Sequence, residues 1–106
     1  MSKKTKSSES MPPKVEILIS GIGKNIQAAR KKRRMSILEL ATNSNVSRNT
    51  ITRLENGDSG VSLGVLGAVL WSLQLEEDLA NIANPSNDTV GQSLSTQTKK
   101  GNKYDF

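Results

Sequence analysis

Three serines, Ser36, Ser47 and Ser62, each follow an apolar residue and are followed by another four places on. The flanking pairs are Met35 with Leu40, Val46 with Ile51, and Val61 with Leu66. This is the spacing of a helix N-cap with a hydrophobic staple. The hydroxyl accepts a backbone N–H of the first turn, and the apolar pair fixes the angle at which the chain enters. Ser36 also has Glu39 three residues on, which completes a capping box. Each cap contributes about 1 kcal/mol. Three helix starts so close together confine the chain to short helices with tight links, an all-α domain.

The rest of the chain fits that frame. Val15, Leu18, Ile19, Ile22, Ile26 and Ala29 recur at three- and four-residue spacing, one apolar stripe on a helix running from Pro13 to about Arg33. Gly21 and Gly23 interrupt it, at about 1 kcal/mol each relative to Ala, so a kink or a late start near Ser20 is compatible with the pattern. Leu63 to Leu73 is apolar around a wide arc, with Leu63, Leu66, Val69, Leu70 and Leu73 as its main stripe. Glu76, Glu77 and Asp78 suit the N-terminus of a fifth helix ending near Ala83, with Leu75, Leu79 and Ile82 turned to the core. A compact five-helix domain over residues 13–83 is the expectation. Residues 1–12 read as a basic disordered tail and 84–106 as a flexible C-terminal tail, since neither segment has enough apolar surface to offset its ordering entropy.

Ser36 to Gly57 holds two of these helices and the link between them, the layout of a helix-turn-helix. Asn45 sits at the corner, where φ above zero is often needed and Asn tolerates it better than other side chains. Gly57 after Asn56 is the expected left-handed stop. On the second helix Ile51 and Leu54 share one side, while Arg48, Asn49, Thr52, Arg53 and Asn56 share the other. No acid stands among those five. Arg can pair with guanine O6 and N7, Asn with adenine N6 and N7, and a Thr methyl can pack on thymine. Arg48, Asn49, Thr52 and Arg53 are therefore candidate base contacts. Ser36, Ser47, Thr50, Asn56, Arg34 and Arg30 are candidate phosphate contacts, which position the protein without reading sequence.

Charge distribution agrees. The chain carries +5 overall, but residues 1–34 hold ten Lys/Arg against two Glu, while 61–106 hold three Lys against five acids. One end is fitted to a polyanion. The chain has no Cys and no His, which excludes disulfides, imidazole catalysis and the usual zinc sites. No carboxylate pair or glycine phosphate loop is placed for catalysis, so neither an enzyme nor a metal or cofactor is expected. Only three aromatics, Trp71, Tyr104 and Phe106, are present, too few for single-strand or RNA stacking platforms. No apolar run reaches the length of a membrane span, and a cytoplasmic location is expected.

The pattern Ser36-x-x-Glu39-Leu40-Ala41, then Val46-Ser47-Arg48-x-Thr50-Ile51-x-Arg53-x-Glu55-x-Gly57, resembles the Cro/phage-repressor (XRE-like) helix-turn-helix class. Ala41, Asn45 and Ile51 fall where that class has a small residue, a Gly-like corner and a β-branched core residue. Ile37 departs from it, standing where a Gln usually opens the first helix of the motif. The resemblance implies a structural salt bridge between Arg30 and Glu55. A narrower likeness is carried by Gly57-Asp58-x-Gly60-Val61-Ser62-Leu63-Gly64-x-Leu66 and Val69-Leu70-Trp71-x-Leu73. Together with Ile22-Gly23-x-x-Ile26-x-x-Ala29-Arg30 and Pro85-x-x-Asp88-x-Val90-Gly91, it resembles the HipB-type antitoxins. That likeness implies a homodimer that reads an inverted-repeat operator in double-stranded DNA, represses its own operon and binds a HipA-like serine/threonine kinase toxin. The alternatives are a plain transcriptional regulator without a toxin, or a protein-binding adaptor that uses the domain as scaffold. Trp71, off the apolar stripe, reads first as a core residue and otherwise as a partner contact. Tyr104 and Phe106, on the polar C-terminal segment, are further candidates for partner binding.

Overall fold

The computed structural model describes residues 11–97, all of whose regular elements are helical. By contacts they fall into two units, 11–76 and 77–97. The first unit contains α1 (Pro13–Lys32), α2 (Ile37–Ser44), α3 (Arg48–Glu55) and α4 (Leu63–Ser72).

The three serine caps form as their spacing requires. Ser36 Oγ accepts from Glu39 N at 2.9 Å while Glu39 Oε1 accepts from Ser36 N at 2.8 Å. Ser47 Oγ accepts from Thr50 N at 3.0 Å, and Ser62 Oγ from Val65 N at 3.1 Å. The other ends share a second device. Each helix closes with a residue in the left-handed region: Arg34 (φ 54°), Asn45 (60°), Gly57 (81°) and Gln74 (63°). In each case the following N–H reaches back five residues to a carbonyl: Met35 to Arg30, Val46 to Ala41, Asp58 to Arg53, Leu75 to Leu70. These are Schellman closures, which satisfy carbonyls that a helix end would otherwise leave open.

Leu40, Ala41, Ile51, Val69 and Leu73 are almost wholly buried, and Ile26, Leu54 and Leu70 complete the core. α2 packs on both α3 and α4, and α1 packs on α3. α1 is continuous through both glycines, and the two behave differently. A Cβ on Gly23 would lie 2.5 Å from the Leu54 carbonyl oxygen and 2.7 Å from that of Glu55, whereas one on Gly21 would meet nothing within 4 Å. Gly23 is thus the point where α1 crosses the end of α3. The apolar stripe of α1 is buried only from this crossing onward. Val15, Leu18 and Ile22 remain exposed.

At the boundary of the two units the expected fifth α-helix is instead a 3-10 helix, Glu76–Asn81, and Ile82 is 63% exposed rather than turned to a core. The short run lies between two left-handed residues, Gln74 and Ala83, and the tighter 3-10 form suits short pieces. The segment read as a C-terminal tail contains a 3-10 turn, Pro85–Asn87, and α5, Thr89–Gln97. Asp88 explains the start of α5: its Oδ1 accepts from Gly91 N at 2.8 Å, an N-cap bond inside a polar composition. Asn84 caps the preceding turn in the same way, accepting from Ser86 N at 2.9 Å.

Candidate nucleic-acid interface

α2, the corner at Asn45 and α3 form the helix-turn-helix anticipated above. α3 has only eight residues, too few to be stable alone, so its neighbours must hold it. Ile51 and Leu54 anchor its inner side in the core. Glu55, the only acid on the helix, also turns inward. Its carboxylate accepts two hydrogen bonds from Arg30 of α1, Nε to Oε2 at 2.7 Å and Nη2 to Oε1 at 3.0 Å. Arg30 Nη1 donates to the Met35 carbonyl at 3.0 Å. This pairing holds the Arg30 charge more firmly than an ordinary guanidinium, through the hydrogen bond to Glu55 and against the opposing effect of burial. Gly57 tightens the same end, because its Cβ position lies 2.9 Å from Ser20 Cα of α1.

The structure forms the Arg30–Glu55 salt bridge and leaves the guanidinium little surface for a phosphate. Arg30 is only 7% exposed and all three of its guanidinium nitrogens are occupied within the protein. Its role is to tie α1 to α3.

The outer side of α3 is different. Arg48, Asn49, Thr52 and Asn56 are exposed, and their side chains make no hydrogen bond within the described residues. At the N-terminus Ser47 and Thr50 are joined, Oγ to Oγ1 at 2.8 Å, both hydroxyls remaining near the surface. Ser36 and Arg34 are exposed on the approach to α2. Ser36 serves as a cap, while Arg34 carries its side chain from a left-handed backbone, a conformation nothing in its side chain favours.

Arg53 is the exception among the candidate base contacts. Its Nε donates to Asp58 Oδ2 at 2.7 Å, and its side chain is 37% exposed. Asp58 belongs to the narrower motif above without a role of its own there. The bond from Arg53 Nε–H, helped by the Gly60 N–H, holds its carboxyl below the usual carboxylate range. The signal lies in Arg53-x-x-x-Gly57-Asp58: a Schellman closure at Gly57 brings the residue after it against the residue five before.

Trp71, read first as core, is 64% exposed on α4, and Leu63 at the start of that helix is 70% exposed. The inner side of α4 is already filled by Val69, Leu70 and Leu73, leaving Trp71 outside. Tyr104 and Phe106 lie outside the described residues. No helix among the described residues is long and apolar enough to cross a membrane.

A buried framework thus carries a short helix with an acid-free polar face, dimensioned for a major groove. A helix-turn-helix family model matches residues 26–78, half of the chain. No curated protein and no solved structure matches it.

Proposed function

Because this chain belongs to the helix-turn-helix family of DNA-binding transcriptional regulators, we propose that it is a sequence-specific repressor that works as a homodimer on an inverted repeat. One observation carries the reading. α3 offers Arg48, Asn49 and Thr52 to solvent without internal hydrogen bonds, while its single acid is locked inward against Arg30. In this proposal Arg48, Asn49, Thr52 and Arg53 read bases, and Ser36, Ser47, Thr50, Asn56 and Arg34 meet phosphates. A monomer of one short recognition helix reads few base pairs. Two such helices about one DNA turn apart read a palindrome.

The likeness to HipB-type antitoxins supports a second half: the repressor controls its own operon and neutralises a HipA-like kinase toxin. Exposed Trp71 and Leu63 favour a protein partner, since large exposed apolar side chains are efficient anchors.

Footprinting of the full chain on the DNA upstream of its own gene tests the first half. A protected palindrome is expected, with log K falling against log salt at a slope of about −7 if each protomer neutralises about four phosphates. Sequence-blind binding, or binding unaffected by Arg48→Ala in a folded variant, refutes it. Co-purification from the native operon tests the second half. A kinase-sized companion, reduced by Trp71→Ala, is expected, and its absence leaves a plain regulator.

A further inference from the structure

The pair Arg53–Asp58 joins a residue of α3 to the loop that leaves it, and the helix ending places it there. The Asp58 N–H reaches the Arg53 carbonyl at 3.0 Å, which sets the two side chains side by side. Schellman closures commonly hold two apolar residues at these positions. Here the contact is ionic. Asp58 is itself fixed, because its other oxygen, Oδ1, accepts the Gly60 N–H at 2.8 Å. The contact engages only Arg53 Nε. Among the described residues Nη1 and Nη2 find no protein acceptor.

A guanidinium gripped at Nε still has the two-nitrogen edge opposite available, and that edge can pair with guanine O6 and N7. We propose that Asp58 is a positioning residue for base readout, holding Arg53 with its Nη1–Nη2 edge presented to one guanine of the binding site. The proposal rests on the reading of Arg53 as a base contact. Two physical effects favour this use of the pair. Immobilising a long, rotamer-rich side chain before binding removes an entropy loss otherwise incurred on the DNA. A carboxylate beside the recognition helix also repels phosphate on all sequences alike, so appreciable binding depends more on the gain from the guanine contact. A pair this exposed adds little to folding stability, so it can be removed without unfolding the domain.

The test presents the full chain with duplexes whose central segment is randomised, and compares base frequencies in the DNA selected by the parent, Arg53→Ala, Asp58→Ala and Asp58→Asn. Affinity for mixed-sequence DNA is measured in parallel. The parent should show a strong guanine preference that Arg53→Ala abolishes. Asp58→Ala should weaken that same preference about three- to tenfold, leave the other positions unchanged and bind mixed-sequence DNA as tightly or more tightly. Asp58→Asn, which keeps one acceptor oxygen for either Gly60 or Arg53 and places an NH2 donor where the other oxygen stood, should fall between. If Arg53→Ala abolishes the preference and Asp58→Ala keeps it, the positioning role is overturned while the base contact stands. If Asp58→Ala weakens all sequences alike, its role is structural and the proposal fails. If folded Arg53→Ala keeps every preference, the base contact fails and the positioning role with it.

Discussion

Replacing Glu55 by Ala would leave the Arg30 guanidinium buried with one remaining acceptor, the Met35 carbonyl. The Arg30 and Glu55 side chains are 8% and 3% exposed, so water cannot substitute for the lost carboxylate without opening the α1–α3 contact. Arg cannot escape by losing its proton. Removing one partner of a buried pair typically costs about 3–5 kcal/mol. A folded unit of this size has only a few to about 10 kcal/mol of total stability, so the variant should be largely unfolded or close to it. The double replacement Arg30→Met with Glu55→Leu removes both charges and fills the space with apolar atoms. It should match the parent or exceed it by about 1–4 kcal/mol. Urea unfolding followed by circular dichroism measures all three at unchanged m. A Glu55→Ala loss below about 1 kcal/mol would show that the pair behaves as a solvated one. A double variant as unstable as the single would show that the charges, and not the packing around them, hold α1 to α3. The same double variant separates two roles for Arg30. With its nitrogens committed inside the protein, its removal should leave the salt slope of DNA binding unchanged.

Four further outcomes are expected. Gly23→Ala should destabilise by about 1–3 kcal/mol, because its Cβ meets backbone carbonyls of α3, whereas Gly21→Ala should stabilise by up to about 1 kcal/mol; thermal melts giving the same sign for both would refute the crossing geometry. Arg34→Gly should raise stability by roughly 0.5–1 kcal/mol by relieving a left-handed backbone, and should lower the salt slope of the dimer's DNA binding by about 2 if the side chain of each protomer meets one phosphate; a melting point below the parent's would refute the strain. Arg48→Ala should keep the parent's melting point and lose about 1–3 kcal/mol of discrimination at one base pair, measured by competition between operator variants. The Asp58 carboxyl, held low by Arg53 and then by Gly60, has a folded pKa below its unfolded value of about 3.9. Its contribution is therefore present above about pH 4 and lost as pH falls through the folded value, so Asp58→Asn should lose less stability on acidification than the parent.

Residues whose side chains carry their own conformational preference are legible in the sequence alone. The serine caps at 36, 47 and 62 need only spacing, and Asn45 and Gly57 are identifiable as left-handed because both residue types tolerate that region. Arg34 and Gln74 occupy the same region and give no sign of it. There the bends go with the closing bonds, Met35 N–H to Arg30 and Leu75 N–H to Leu70. Periodicity marks the stripe on α1 but not how much of it a neighbour covers; coverage depends on where α3 crosses, and Gly23 fixes that point. Trp71 is misread as core for the same reason, since hydrophobicity alone does not say which arc of a helix its neighbours fill. In residues 84–97 the polar composition conceals two caps, Asn84 and Asp88, that start helical turns without burying a core.

An eight-residue helix presents side chains accurately only if both of its ends are held. At the N-terminus of α3 this falls to Ser47 and Thr50, and at the C-terminus to three contacts with α1. Gly23 admits the terminal carbonyls, Arg30 binds Glu55, and Gly57 turns the chain against Ser20. Under the proposed readout, these α1 residues need not touch DNA to affect it, because they hold the end of α3. The inward turn of Glu55 serves both purposes. It clamps the helix, and it removes the one carboxylate of α3 from the face that would meet phosphates. The acid returned to that vicinity is Asp58, beyond the helix end, where it contacts Arg53 alone among the outward cations. Under the proposed readout, that carboxylate stands where it can orient Arg53.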